Sequence, residues 1–220
     1  MKQIIIFIFV CFLHSCGEDK IIELAEISHS DIHEITDVSA AYLFYDETSE
    51  KGFELNRKNL ISTTNWLVNV DKRLSLKQVI PNIIFLQDKK NNASHKNETA
   101  KNYYTCHDLE MNALGFIDFT NIIYHLEAST NTEGVQFQII YTSADTIKIQ
   151  SSESNAETIY TTLADFENNL TRLTKEALEP IKLILSFHDS ISFQSYMSLK
   201  SILINSDDNI LIARDEFIFN

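Results

Sequence analysis

The sequence predicts an α/β fold, a mixed sheet with helices packed on one face, and three observations lead to it. Short apolar runs of strand length alternate with two stretches of helical periodicity, the pattern of strands connected by helices. Apolar residues make up 44% and charged residues 22% of the chain, an ordinary globular balance that excludes disorder. The 220 residues suffice for one large or two small domains with a real core. An α+β arrangement is the alternative, and the chain admits two related α/β units.

At the start stand Lys2 and an unbroken apolar run over residues 4–13, which has the layout of a secretory signal. That run is about half of the roughly twenty apolar residues a membrane-spanning helix needs, and it breaks at His14 and Ser15. Leu13-His14-Ser15-Cys16 follows and resembles the lipobox read by lipoprotein signal peptidase, with His14 where a small residue is commoner. The resemblance implies that residues 1–15 are cleaved and that Cys16, now N-terminal, carries the fatty chains of a bacterial lipoprotein. Gly17, Glu18, Asp19 and Lys20 resemble the acidic export tag of Bacteroidota surface lipoproteins. Outer-membrane attachment is therefore expected, with the leaflet open.

Residues 16–38 read as a polar tether and residues 39–128 as an N-terminal α/β region. Within that region, residues 40–45 and 53–56 suggest a hairpin about Gly52, and residues 65–70 another strand. Ser75 and Gln78 have capping-box spacing, and Leu76, Val79, Ile80, Ile83 and Leu86 recur at helical intervals. A helix is expected over residues 76–88, kinked or delayed by Pro81. Residues 89–105 look like a long exposed loop and 114–127 like strand structure. A polar break at 129–134 marks the expected boundary.

The C-terminal region, 134–220, offers strands at 135–141 and 146–150 and then helical periodicity from Ile159 to Ala177, closed by Pro180. A strand over 181–187, a helix capped by Ser192 and a last strand over 209–219 complete it. The stretches that matter are Ala144-Asp145-Thr146-Ile147-Lys148-Ile149, the helix from Leu163 to Ala177, Ile181-Lys182-Leu183-Ile184-Leu185-Ser186-Phe187-His188-Asp189, and Tyr196. With the order strand, strand, helix, strand, helix, strand, they resemble the periplasmic domain of the ExbD/TolR family. The resemblance implies an interaction domain that works through partners. It does not extend to proton conduction, because the family's transmembrane helix has only a cleaved signal in its place. The strand at 66–70 and the helix after Leu74-Ser75-Leu76 echo the later half.

Formal charge is −13, which repels phosphate backbones and anionic headgroups, so no nucleic acid is expected as a partner. Membrane contact falls to the lipid anchor, and an envelope protein is the expected partner. With Cys11 removed and Cys16 acylated, Cys106 has no cysteine to pair with. Four scattered glycines exclude phosphate-cradling loops and nucleophile elbows, and no cofactor is expected.

Cys106-His107-Asp108, near His95, is the densest group of reactive side chains. Adjacent residues point in different directions, so the tripeptide is no catalytic dyad, and a partly buried cysteine with a surface histidine is expected. His95, Cys106 and His107 are the candidates for a metal site, though paired-ligand spacing is missing. His29 and His33, four apart, would share a helix face as a two-histidine clamp, but no third ligand is obvious. Solvated polar residues are the default for both. Trp66, Tyr103 and Tyr104 are the aromatic side chains that would line a sugar or peptide site, with packing in the core or in loops the expected role.

Overall fold

Strand-forming residues at alternate positions build two mixed sheets, mostly parallel, with three helices. The computed structural model describes residues 20–220 apart from 96, 130–133, 144, 154–155, 177–178 and 207–208. The leader, Cys16, and Ala144 and Ala177 of the stretches above lie outside the described residues.

The first sheet comprises β1 (Glu26–Ile27), β2 (Val38–Tyr45), β3 (Phe53–Asn56), β4 (Asn65–Val70), β5 (Asn102–Asp108) and β6 (Ala113–Asp118), and α1 (Leu76–Asn91) joins β4 to β5. The second comprises β7 (Ile123–His125), β8 (Phe137–Ser143), β9 (Thr146–Ser151), β10 (Ile159–Thr161), β11 (Ile181–His188) and β12 (Ile210–Phe219). Helix α2 (Leu163–Glu176) precedes β11, and α3 (Phe193–Ile204) joins β11 to β12.

Four strands in each sheet share one order and one set of directions. In the first, β2, β4 and β5 are parallel and β3 pairs antiparallel with β2. In the second, β8, β11 and β12 are parallel and β9 pairs antiparallel with β8. A helix makes the crossover between the last two parallel strands of each, as parallel pairing requires. The chain is thus two α/β units of like topology, differing at the flanks: β6 runs antiparallel to β5, whereas β7 runs parallel to β12.

The units meet where their crossover helices begin. Leu76 N–H donates to Ile191 O at 2.8 Å and Phe193 N–H to Leu74 O at 2.7 Å. Lys77 N–H donates to Asp189 O at 2.8 Å and Gln194 N–H to Lys72 O at 3.1 Å. Exchanging Ser75 for Ser192, which face each other in an isolated antiparallel bridge, turns each bond into its counterpart. The junction therefore has a local pseudo-two-fold. Behind it runs a buried polar chain: Tyr104 to Tyr124 at 2.9 Å, Tyr124 to Tyr196 at 3.2 Å, and Tyr196 O–H to Glu216 Oε2 at 2.7 Å. Lys200 Nζ donates to the other oxygen of Glu216. Burial raises all three phenols well above their ordinary range, so they stay protonated and able to donate.

Several elements differ from expectation. Helix α1 starts at Leu76 rather than at the proline and runs on to Asn91 with the exposed Pro81 inside it; Gln78 Oε1 accepts the Ser75 amide at 3.0 Å and five apolar side chains anchor its inner face. The expected loop shrinks to residues 92–101, and Tyr103 and Tyr104 lie buried in β5. Expected strand 114–127 divides between the sheets, so the change of sheet falls ahead of the polar break. Ile159–Thr161 pairs with β9 rather than opening a helix. The segment read as tether enters the first sheet at β1, with Ala25 and Ile27 buried.

Lys200 and Glu216 are 5% and 1% exposed, so Lys200→Met strands a buried carboxylate and is expected to cost about 3–5 kcal/mol in urea unfolding. Adding Glu216→Leu is expected to restore most of that loss, since the desolvated charge goes with it.

Candidate functional site

Parallel pairing of β1 with β5 sets Ile27 against Asp108 and so carries the residues that follow β1 to the end of β5. Those residues turn back over β6. Phe116 N–H donates to Ile32 O at 3.0 Å, and Ser30 Oγ donates to Phe116 O at 2.9 Å. Gly115 permits this approach: a Cβ there would stand 2.9 Å from Ser30 Cβ and 3.2 Å from Asp108 Cβ.

The result brings His29, His33 and Asp108 together, with one donor atom from each within 4.8 Å of the others. Asp108 Oδ2 lies 3.6 Å from His29 Nδ1 and 3.8 Å from His33 Nε2. The two rings are 5.9 Å apart between centroids. Glu110 Oε2 stands 3.3 Å from His29 Nδ1, and Asp31 Oδ1 stands 3.3 Å from the ring's other nitrogen. The two histidines do not share a helix face as the spacing suggested, because residues 28–37 form irregular chain laid over β6.

Asp108 is fully buried. Burial works to raise its carboxyl, but amides of Met111 and Ser30, at 3.0 and 2.8 Å, together with His29, prevail and hold it below the usual carboxylate range. The carboxylate is therefore charged and fixed in direction. His33 Nδ1 meets Leu114 O at 3.2 Å. A carbonyl only accepts, so in the neutral ring Nδ1 carries the proton and the Nε2 lone pair faces Asp108. Two imidazole nitrogens and a carboxylate suit a borderline divalent cation.

The residues first singled out for metal do not converge. Cys106 faces the core, where burial pushes its thiol up to about 12, so it is neither a ready nucleophile nor a ready ligand. His107 turns to Asn112 Oδ1 at 3.3 Å, and His95 is exposed beyond α1. Only Asp108 of the tripeptide takes part. The spacing of His29 and His33 was a visible signal, whereas their third partner is brought by a pairing some eighty residues away in sequence, roughly, that no local pattern encodes.

A second feature is a cleft of about 550 Å³ between α1 and the β6–β7 connection, whose walls include Gln87, Asn91, Asn97, Asn102, Asn121 and Arg214. Lys90 at its base is pushed down to about 8 by burial, yet its ammonium donates to Lys101 O and Asn102 Oδ1 at 2.9 and 2.8 Å. Trp66, Tyr103 and Tyr104 are all buried and offer no ring face to a ligand. No family model, no curated protein and no solved structure matches the chain.

Gly115→Ala is expected to force Ser30 away from β6 at a cost of about 1–3 kcal/mol, read as a lowered melting temperature.

Proposed function

We propose that this is a lipid-anchored, non-catalytic protein of the cell envelope, held by Cys16 in the outer membrane, whose folded part binds another envelope protein. The anchor reading rests on Leu13-His14-Ser15-Cys16 behind its apolar leader. Among the described residues no helix is long and apolar enough to cross a membrane. The resemblance of the C-terminal region to ExbD/TolR periplasmic domains supports a role exercised through partners.

The observation that carries the interaction is the β5–β6 hairpin. Leu109, Met111 and Leu114 are 55%, 57% and 50% exposed within six residues. Single exposed aliphatics are ordinary, but three on one tight turn form a patch that a partner would cover. Because Ser30 and Ile32 already occupy the outer edge of β6, contact there runs through side chains rather than an added strand.

Mass spectrometry of the membrane fraction is expected to find a chain beginning at an acylated Cys16. A photo-crosslinker at Met111 or Leu114 is expected to give one discrete adduct with an envelope protein, and none from the exposed but distant Ile61. An unmodified thiol, or equal adducts from all three positions, overturns the reading.

The amide-lined cleft favours a second reading, a surface glycan-binding or hydrolytic lipoprotein, since carboxamides match sugar hydroxyls. Titration with soluble oligosaccharides is expected to yield heat that Asn121→Leu abolishes; silence across neutral and acidic glycans removes this reading.

A further inference from the structure

We propose that His29, His33 and Asp108 bind a divalent transition cation of the zinc class, with Glu110 as the fourth ligand. The inference is independent of partner binding and rests on the mutual geometry of these side chains.

Three polar atoms face one another without bonding. At 3.6 and 3.8 Å, the approaches of the two ring nitrogens to Asp108 Oδ2 are too long for hydrogen bonds. His29 Nδ1 is shut off from solvent and has no hydrogen-bond partner in the protein. A buried polar atom in that condition is costly unless something else satisfies it. Ligands at about 2.0–2.2 Å from a tetrahedral zinc stand roughly 3.4 Å apart. The two approaches to Asp108 exceed that by only a few tenths of an ångström, Glu110 Oε2 at 3.3 Å from His29 Nδ1 already has it, and the donor atoms of His29, His33 and Asp108 all lie within 4.8 Å of one another. A cation draws these donor atoms together through rotation of the two partly exposed imidazoles and the exposed Glu110 side chain.

The supporting contacts are those a metal site uses. Leu114 O fixes the His33 tautomer that leaves Nε2 free, and Asp31 stands 3.3 Å from the outward nitrogen of His29, the position from which a carboxylate orients a ligating imidazole. Backbone amides of Ser30 on Oδ2 and of Met111 on Oδ1 hold the Asp108 carboxylate, so its direction is set before any ion arrives. With two imidazoles, two carboxylates and no thiolate, the set suits zinc or cobalt better than calcium or magnesium, which take oxygen ligands. Bound there, the ion ties residues 29–33 to the β5–β6 hairpin.

The test uses the full mature protein in detergent, titrated with Co²⁺ and then displaced with Zn²⁺. One equivalent of Co²⁺ is expected to give the visible d–d absorption of a four-coordinate site, which Zn²⁺ bleaches. His33→Ala is expected to weaken binding at least tenfold, and His95→Ala to leave it unchanged. X-ray absorption on the zinc-loaded wild type needs no variant and is expected to show two imidazoles with oxygen ligands. Binding of equal strength in His33→Ala, absence of a saturable d–d band, or an all-oxygen shell overturns the proposal.

Discussion

Each crossover helix in this protein begins by handing its first amides to the other unit. The opening turn of any helix carries N–H groups that its own carbonyls cannot reach. In α1 these include Leu76 and Lys77, in α3 Phe193 and Gln194, and all four donate to carbonyls of the turn that precedes the opposite helix. These four amides rely on the other unit, so separating the sheets gives up all four bonds at once. The side chains add a local cap to each: Gln78 Oε1 takes the Ser75 amide, and Ser192 Oγ takes the Ser195 amide. The tyrosine chain extends the same constraint sideways, since Tyr104 belongs to the first sheet and Tyr124, Tyr196 and Glu216 to the second unit. Hydroxyls accept partners only in a narrow geometry, and this fixes how the apolar surfaces around them register.

Most of the units was legible in local sequence. Strands β2, β3, β4, β8, β9, β11 and β12 fall on the apolar runs, and both crossover helices begin at their serines, because in each case one stretch of chain holds the period and the cap. What escaped was held from elsewhere. Glu26–Ile27 is too short to show any period and is a strand only because β5 accepts it. Ile159 lies in phase with the apolar face of α2, yet the β9 edge claims it first. Tyr103 and Tyr104 sit beside a polar stretch that hides them, and burial in β5 is a property of the sheet, not of their neighbours.

The histidine cluster follows the same logic. Spacing exposed His29 and His33 as a pair, and the tripeptide exposed Asp108, but their meeting depends on the parallel register that sets Ile27 against Asp108. The chain between β1 and β2 could then have left the sheet; it folds over β6 because Gly115 presents no side chain where Ser30 comes down. A glycine inside a strand weakens it, and here close backbone approach is the return. The second unit does nothing equivalent: β7 occupies the matching flank of β12 in the opposite direction from β6, and its neighbour Phe217 stacks on His125 at 4.7 Å.

That difference at the flanks gives the first unit's outer edge features that the second unit's edge does not share. A shared core topology does not say where function lies, so the site is a matter of the residues at each edge. On β12 the flank strand β7 turns Tyr124 inward to the polar chain, so it is spent on holding the units together. On β5 the flank strand β6 is not needed for that purpose. It carries an exposed apolar turn at one end and, through Gly115, the floor beneath His29, His33 and Asp108. In a chain of net charge −13, a cation lodged there would neutralise Asp108 and Glu110 beside Leu109 and Met111. Lowering the charge next to an apolar turn lowers the desolvation cost of covering it.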